Sequence, residues 1–147
     1  MVEVDNRGVA RMALEQVCAR GDMTPAPQCY AEDFVDHVGR VKFRGLEGVR
    51  RSTAMYRRLF DDLAFDVVDQ VAEGDRVASR WLLTGSNRGR PVQLWGITIS
   101  RLRAGRIVED WSAFDGLELL RALGIVRTLL VAPRFLGPLS RGPRGRR

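Results

Sequence analysis

Past Leu63 the apolar residues of this chain stop recurring at helical spacing and begin to alternate, and turn sequences arrive at nearly even intervals: Glu73-Gly74-Asp75, Asn87-Arg88-Gly89 and Ala104-Gly105. Alternation requires half-buried strands, and short glycine turns join such strands as antiparallel neighbours. The pattern predicts strands over 65–72, 76–86, 91–103 and 106–114. Before the change of period, Val9, Met12, Ala13 and Val17 define a helix over 6–20, which Gly21-Asp22 stops. Pro25 and Pro27 then allow only a short helical turn over 28–31, and 34–38 reads as a brief extended segment. Val49, Thr53, Tyr56, Leu59, Phe60 and Leu63 form one stripe of a second long helix over 46–62, whose opposite face carries Arg50, Arg51, Arg57 and Arg58. A last helix spans 117–123, with Asp115 as its N-cap and Gly124 as its C-cap. Helices, then a curved meander, then a closing helix give an α+β layer architecture.

At 147 residues and 45% hydrophobic composition, the chain has enough apolar material for one core. The net charge of +6 points to nucleic acid only until its distribution is read. Arg134, Arg141, Arg144, Arg146 and Arg147 supply five of those charges in a tail without acids. The remainder is nearly neutral and has no basic stripe to follow a phosphate backbone, so no nucleic-acid partner is expected. The expected organisation is a single domain over 1–130 and a disordered tail rich in Gly, Pro and Arg over 131–147. No run of eighteen apolar residues and no secretory pattern occurs, which points to a cytoplasmic protein with no membrane partner. Cys18 and Cys29 have no second Cys or His at ligand spacing, so neither a disulfide framework nor a metal site is expected.

Ala19-Arg20-Gly21-Asp22, Tyr30-Ala31-Glu32-Asp33-Phe34-Val35-Asp36-His37, Gly45-Leu46-Glu47-Gly48, Val71-Ala72-Glu73-Gly74-Asp75-Arg76-Val77 and the segment from Gly105 to Gly124 follow one another along the chain. With the order of elements, these blocks resemble the SnoaL-like polyketide cyclases, within the nuclear transport factor 2-like and ketosteroid isomerase-like superfamily. Their order and spacing extend over residues 6–124. The resemblance implies a cone-shaped barrel, with N-terminal helices packed on a strongly curved antiparallel sheet and a short C-terminal helix. It also implies an apolar cavity open at one end, a homodimer, and chemistry that needs no cofactor.

Alternation divides each strand into two faces, and the resemblance to ketosteroid isomerases indicates which face is concave. Asp110, Ser112 and Phe114 then point inward, with Ser79, Trp81, Leu83, Leu94, Gly96 and Thr98 from the neighbouring strands. Glu109, Trp111 and Ala113 lie on the convex face with Trp95, Ile97 and Ile99, and so apolar a patch fits sheet-to-sheet dimerisation. By the resemblance, His37 occupies the neighbourhood of the isomerase base, and an imidazole is suited to that work near neutrality. The alternative for His37 is a polar cap on a segment end. Asp110, desolvated in a cone, is the second catalytic candidate, as a proton shuttle; its alternative is an ion pair with a rim arginine.

Tyr30 and Tyr56 are candidate phenolic donors, Thr98 and Ser112 candidate hydroxyl contacts, and Trp81, Leu83 and Phe114 the residues that shape the substrate. Many relatives carry an acid at the position of Ser112, and an acid or histidine at that of Thr98. Isomerases place a phenol at that of Leu14. The expected function is a cofactor-free cyclase or isomerase acting by general acid–base catalysis on a bulky, apolar, polyketide-like intermediate of natural-product biosynthesis. An epoxide-opening, ring-forming cyclase and a non-catalytic protein binding small hydrophobic ligands are the alternatives.

Overall fold

A computed structural model describes residues 5–124; the predicted basic tail, 131–147, lies outside the described residues. Asp5 opens the first helix by accepting a hydrogen bond from the Gly8 amide at 2.9 Å, which satisfies one of the amides that a helix start leaves unpaired. α1 (Asn6–Met12) continues into a π-helical segment, Ala13–Cys18, so the predicted long helix is present but unwound and widened in its second half. Such widened turns gather at functional sites, and this one carries Leu14 and Val17 into the interior. α2 is the short helix Ala26–Cys29, starting two residues before its expected position. α3, Gly45–Leu59, buries Val49, Ser52 and Thr53. Arg57 donates to the Ala19 carbonyl at 2.8 Å and ties α3 to the end of the π-helical segment.

α3 stops three residues earlier than the periodicity predicts. Phe60 is extended and buried, and the chain at once enters β3 (Asp61–Glu73). The apolar pattern continues smoothly across this junction because Phe60 and Leu63 serve the same core from either geometry. β3, β4 (Arg76–Asn87), β5 (Arg90–Arg103) and β6 (Arg106–Phe114) form the predicted antiparallel meander. In the turn between β5 and β6, Ala104 and Gly105 both have positive φ, 51° and 74°, the backbone that suits a two-residue hairpin.

The N-terminal half of the sheet departs from the expectation. The extended segment is a full strand, β1 (Tyr30–Val38), which hairpins to β2 (Val41–Arg44) and runs parallel to β6. The sheet therefore has six strands in the order β2-β1-β6-β5-β4-β3 and is not wholly antiparallel. Register shifts in β3, in β1 and between β5 and β6 curve it without closing it. Ala31-Glu32-Asp33 hid the first half of β1, because two exposed acids follow one another before alternation begins at Phe34.

Two apolar clusters fill the concave side. One joins Ala10, Val17, Tyr30, Phe34 and Val49 to Val77, Leu102 and Ile107; the other joins Leu14, Phe60, Phe65, Trp81, Leu83 and Leu94. α4 (Gly116–Leu123) adds Leu119 and Leu123 to the second cluster, and Asp115 caps it as predicted by accepting from the amides of Leu117 and Glu118. No helix among the described residues is long and apolar enough to cross a membrane.

Candidate active site

At the seam between the two clusters lies an enclosed cavity whose walls are mostly apolar: Leu14 from the π-helical segment, Phe34 from β1, Val49 from α3 and Phe65 from β3. Trp81 forms part of its floor, and the absence of a side chain at Gly96 makes that possible. A Cβ there would lie 2.2 Å from the indole ring, and with the ring only 4% exposed it has nowhere to retreat. The indole N–H donates to Thr98 Oγ1 at 2.9 Å, and Thr98 Oγ1 is 2.8 Å from Ser112 Oγ. When the Thr98 hydroxyl donates its hydrogen bond to Ser112 Oγ, the Ser112 hydroxyl is left to donate into the cavity.

Against this floor stand two carboxyls. The parallel register sets Asp36 of β1 directly opposite Asp110 of β6, and both side chains enter the cavity. Burial, followed by the negative charge of Asp36, pushes the Asp110 carboxyl up to about 8, and the Ser100 hydroxyl across the β5–β6 pair only partly offsets this. Burial likewise raises Asp36 to about 6, opposed by the positive charge of His37 and by the Ser52 hydroxyl. Between these values the pair holds one proton, with Asp36 ionised and Asp110 neutral. Asp110 Oδ1 is fully buried and has no hydrogen-bond partner among the described residues. No arginine lines the cavity, so the alternative of a rim ion pair for Asp110 does not arise within the described residues.

Three further polar groups face the same space. Tyr30 Oη and Cys18 Sγ lie 3.7 Å apart; burial drives the Cys18 thiol up to about 12 and the Tyr30 phenol well above its usual range. Tyr56, set edge-on to Phe65 with centroids 6.3 Å apart, is raised by burial too. All three groups remain neutral donors at physiological pH. The free space among the lining side chains is about 40 Å³, room for about three waters. A bulky ligand therefore needs the helical wall that carries Leu14, Cys18, Val49 and Tyr56 to move outward.

Of the residues proposed from the sequence, Asp110, Tyr30, Tyr56, Trp81, Thr98 and Ser112 converge on the cavity. Three do not. Leu83 is sealed in the second cluster at 1% exposure, and Phe114 packs beside that cluster and borders a surface groove with Trp95 and Ile97. His37 points to the convex side, where its Nε2–H donates to Glu109 Oε1 at 2.8 Å and its ring stacks on Trp111. Strand alternation explains the reversal: with Phe34 buried and inward, Asp36 is inward and His37 outward. The same alternation, applied to 34–38 in the sequence, was the available signal for Asp36. Cys18 and Ser52 carried no comparable signal, since helical periodicity alone does not distinguish a cavity wall from core.

The curved sheet, the helical cover and the enclosed polar floor define a protein of the ketosteroid isomerase-like fold. The model of the SnoaL-like polyketide cyclases matches residues 8–123, and the chain belongs to that family. Among solved structures, it is similar to IdmH, a candidate polyketide cyclase from Streptomyces antibioticus, with 27% identity over 82% of this chain and 99% of that one, at a TM-score of 0.70. TsrD from Streptomyces laurentii shares the fold at 22% identity, over 84% of this chain and 98% of that one, with a TM-score of 0.73. A protein of ketosteroid isomerase-like fold from Catenulispora acidiphila shares it at 18% identity, over 82% and 92%, with a TM-score of 0.66. No curated protein sequence matches the chain significantly.

The raised carboxyls set the sign of a pH effect on stability. In the unfolded chain both aspartates release their protons near the ordinary value of 3.8, whereas the fold retains one to about 6 and the other to about 8. The folded state binds the excess protons across that window, so stability falls as pH rises through it. Calorimetric melting should show Tm declining toward about pH 9. Asp110→Asn should flatten the decline above about pH 6 and raise Tm at about pH 9 by roughly 3 °C or more. A lower Tm for this variant at that pH contradicts the assignment.

Proposed function

We propose that the protein is a cofactor-free cyclase or isomerase that moves a proton within a largely apolar, polyketide-like carbonyl compound. One observation carries this reading: two carboxyls in register share an apolar cavity, and Asp110 has an unpartnered buried oxygen there; burial raises both, Asp110 the further, so that near neutrality Asp36 is the ionised member and Asp110 the protonated one. The Asp36 carboxylate is the base. It takes a proton from a carbon next to the substrate carbonyl, and the electron pair moves onto the carbonyl oxygen. Neutral Asp110 donates a hydrogen bond, or its proton, to that oxygen, with the Ser112 hydroxyl as a second donor. Return of a proton to a different carbon gives isomerisation; attack of the enolate carbon on a second carbonyl of the same molecule gives ring closure. Trp81 and the aliphatic wall exclude water from the enolate.

Family membership and the likeness to IdmH support the class of reaction, and the dyad supplies its acid and its base. His37 has no part in proton transfer in this account, because its ring lies on the opposite face of the sheet. We also propose a homodimer through the convex face, where Trp95, Ile97 and Ile99 are 46%, 46% and 39% exposed beside Trp111. So large an apolar surface favours a second copy.

Asp36→Asn and Asp110→Asn should each reduce kcat on a cyclisable or enolisable substrate by about 10²- to 10⁴-fold. The wild-type rate should be bell-shaped in pH, with limbs near 6 and 8. Full activity in either variant overturns the mechanism. For the dimer, Ile97→Glu should produce a monomer in light scattering after gel filtration, and an unchanged mass, monomeric in both, removes that proposal.

A further inference from the structure

The dyad depends on a short stretch of pairing. β1 meets β6 at Tyr30↔Ile107, loses register, and regains it only at Val35↔Glu109, Asp36↔Asp110 and His37↔Trp111. Three consecutive pairs therefore place the two carboxyls side by side. The smallest slip that keeps Asp36 on the concave face is two residues, which would carry it about 7 Å along the strand, away from Asp110.

On the opposite face of those same three pairs sits a linked set of side chains. His37 donates to Glu109 Oε1 at 2.8 Å, while Arg101 of β5 donates to Glu109 Oε2, also at 2.8 Å. The imidazole lies nearly parallel to the Trp111 indole, 4° between planes and 5.3 Å between centroids, and the Arg76 guanidinium of β4 approaches the same indole at 5.9 Å. Lys42 of β2 is the register neighbour of His37 on its other side. Bonds from β1 to β6 and from β6 to β5 thus join three neighbouring strands at the level of the dyad. The side chains involved are only 21–34% exposed, so solvent screens them less than a surface pair.

We propose that His37, Glu109 and Arg101 form a positioning clamp on the convex face, which fixes the register of β1 on β6 and so holds Asp36 against Asp110 inside the cavity. The inference rests on the dyad described above and assigns to His37 a task outside the chemistry. The clamp also acts through charge. The positive charge of His37 favours the Asp36 carboxylate one residue away, whereas the cavity groups on the other side of Asp36 are Asp110, Ser52 and the neutral Tyr30, Tyr56 and Cys18. The imidazole thus works on Asp36 from behind the strand, in opposition to the burial that raises it.

The test is a carbon-detected NMR titration of the aspartate side-chain carboxyls in the full chain, with backbone contacts between Asp36 and Asp110 read from nuclear Overhauser effects. In the wild type, Asp36 and Asp110 should titrate near 6 and 8. His37→Gln keeps an N–H donor for Glu109 without the charge. It should preserve the Asp36–Asp110 backbone contacts and raise the Asp36 midpoint by about half a pH unit. Glu109→Leu removes the central link and should weaken those contacts and move both midpoints. Should Glu109→Leu fail to fold, Glu109→Gln, which keeps the side chain's size but removes the charge that His37 and Arg101 both meet, takes its place and should weaken the same contacts. Midpoints unchanged in the variants, over a wild type with two elevated steps, overturn the clamp. A wild type whose two carboxyls both titrate in the ordinary carboxylate range overturns the dyad itself.

Discussion

The parallel pairing of β1 with β6 is the contact on which the site depends. Antiparallel hairpins build most of the sheet from local sequence, each strand finding its neighbour across a short turn. The β1–β6 pair instead joins residues more than seventy positions apart, with no turn to set its register. That one junction brings Asp36 from the N-terminal half to Asp110 in the last strand. Two carboxyls at adjacent positions in a dry cavity cannot both ionise cheaply, so the fold retains a proton that an exposed aspartate would release. In the proposed mechanism an acid and a base then coexist near neutrality in one cavity, without a histidine.

The remainder of the cavity suits such a pair. Its walls come from two apolar clusters that meet without merging, and the seam between them is kept open by local features. The π-helical segment turns Leu14 and Cys18 toward the seam, and Gly96 leaves a flat place on which Trp81 lies. The Trp81–Thr98–Ser112 chain satisfies the polar atoms of the floor and leaves one hydroxyl for the ligand. Hydroxyls at Thr98 and Ser112 add no further charge to compete with the dyad for its proton.

Much of this was legible before the structure. The meander was, because its turns and alternation are local; so were the capping by Asp115 and the inward face of β6, including Asp110. The convex patch of Trp95, Ile97 and Ile99 followed from the same alternation, and all three are exposed. What local pattern could not supply was pairing. The sequence marks only 34–38 as extended because the first half of β1 is polar, and the parallel partner of β1 leaves no trace in the intervening sequence. The family resemblance and the solution pKa of an imidazole point to His37, and neither singles out Asp36. The position of His37 one residue further along the strand put it on the wrong face, and burial gave the neighbouring aspartate the working range instead.

Infrared difference spectroscopy addresses the central claim most directly, because a protonated carboxylic acid has a carbonyl stretch distinct from that of a carboxylate. The account predicts that wild-type protein at about pH 7 shows this band, that it fades as pH rises through about 8, and that it is missing in Asp110→Asn. A spectrum at that pH with no protonated carboxyl, or a band that survives in Asp110→Asn, contradicts it.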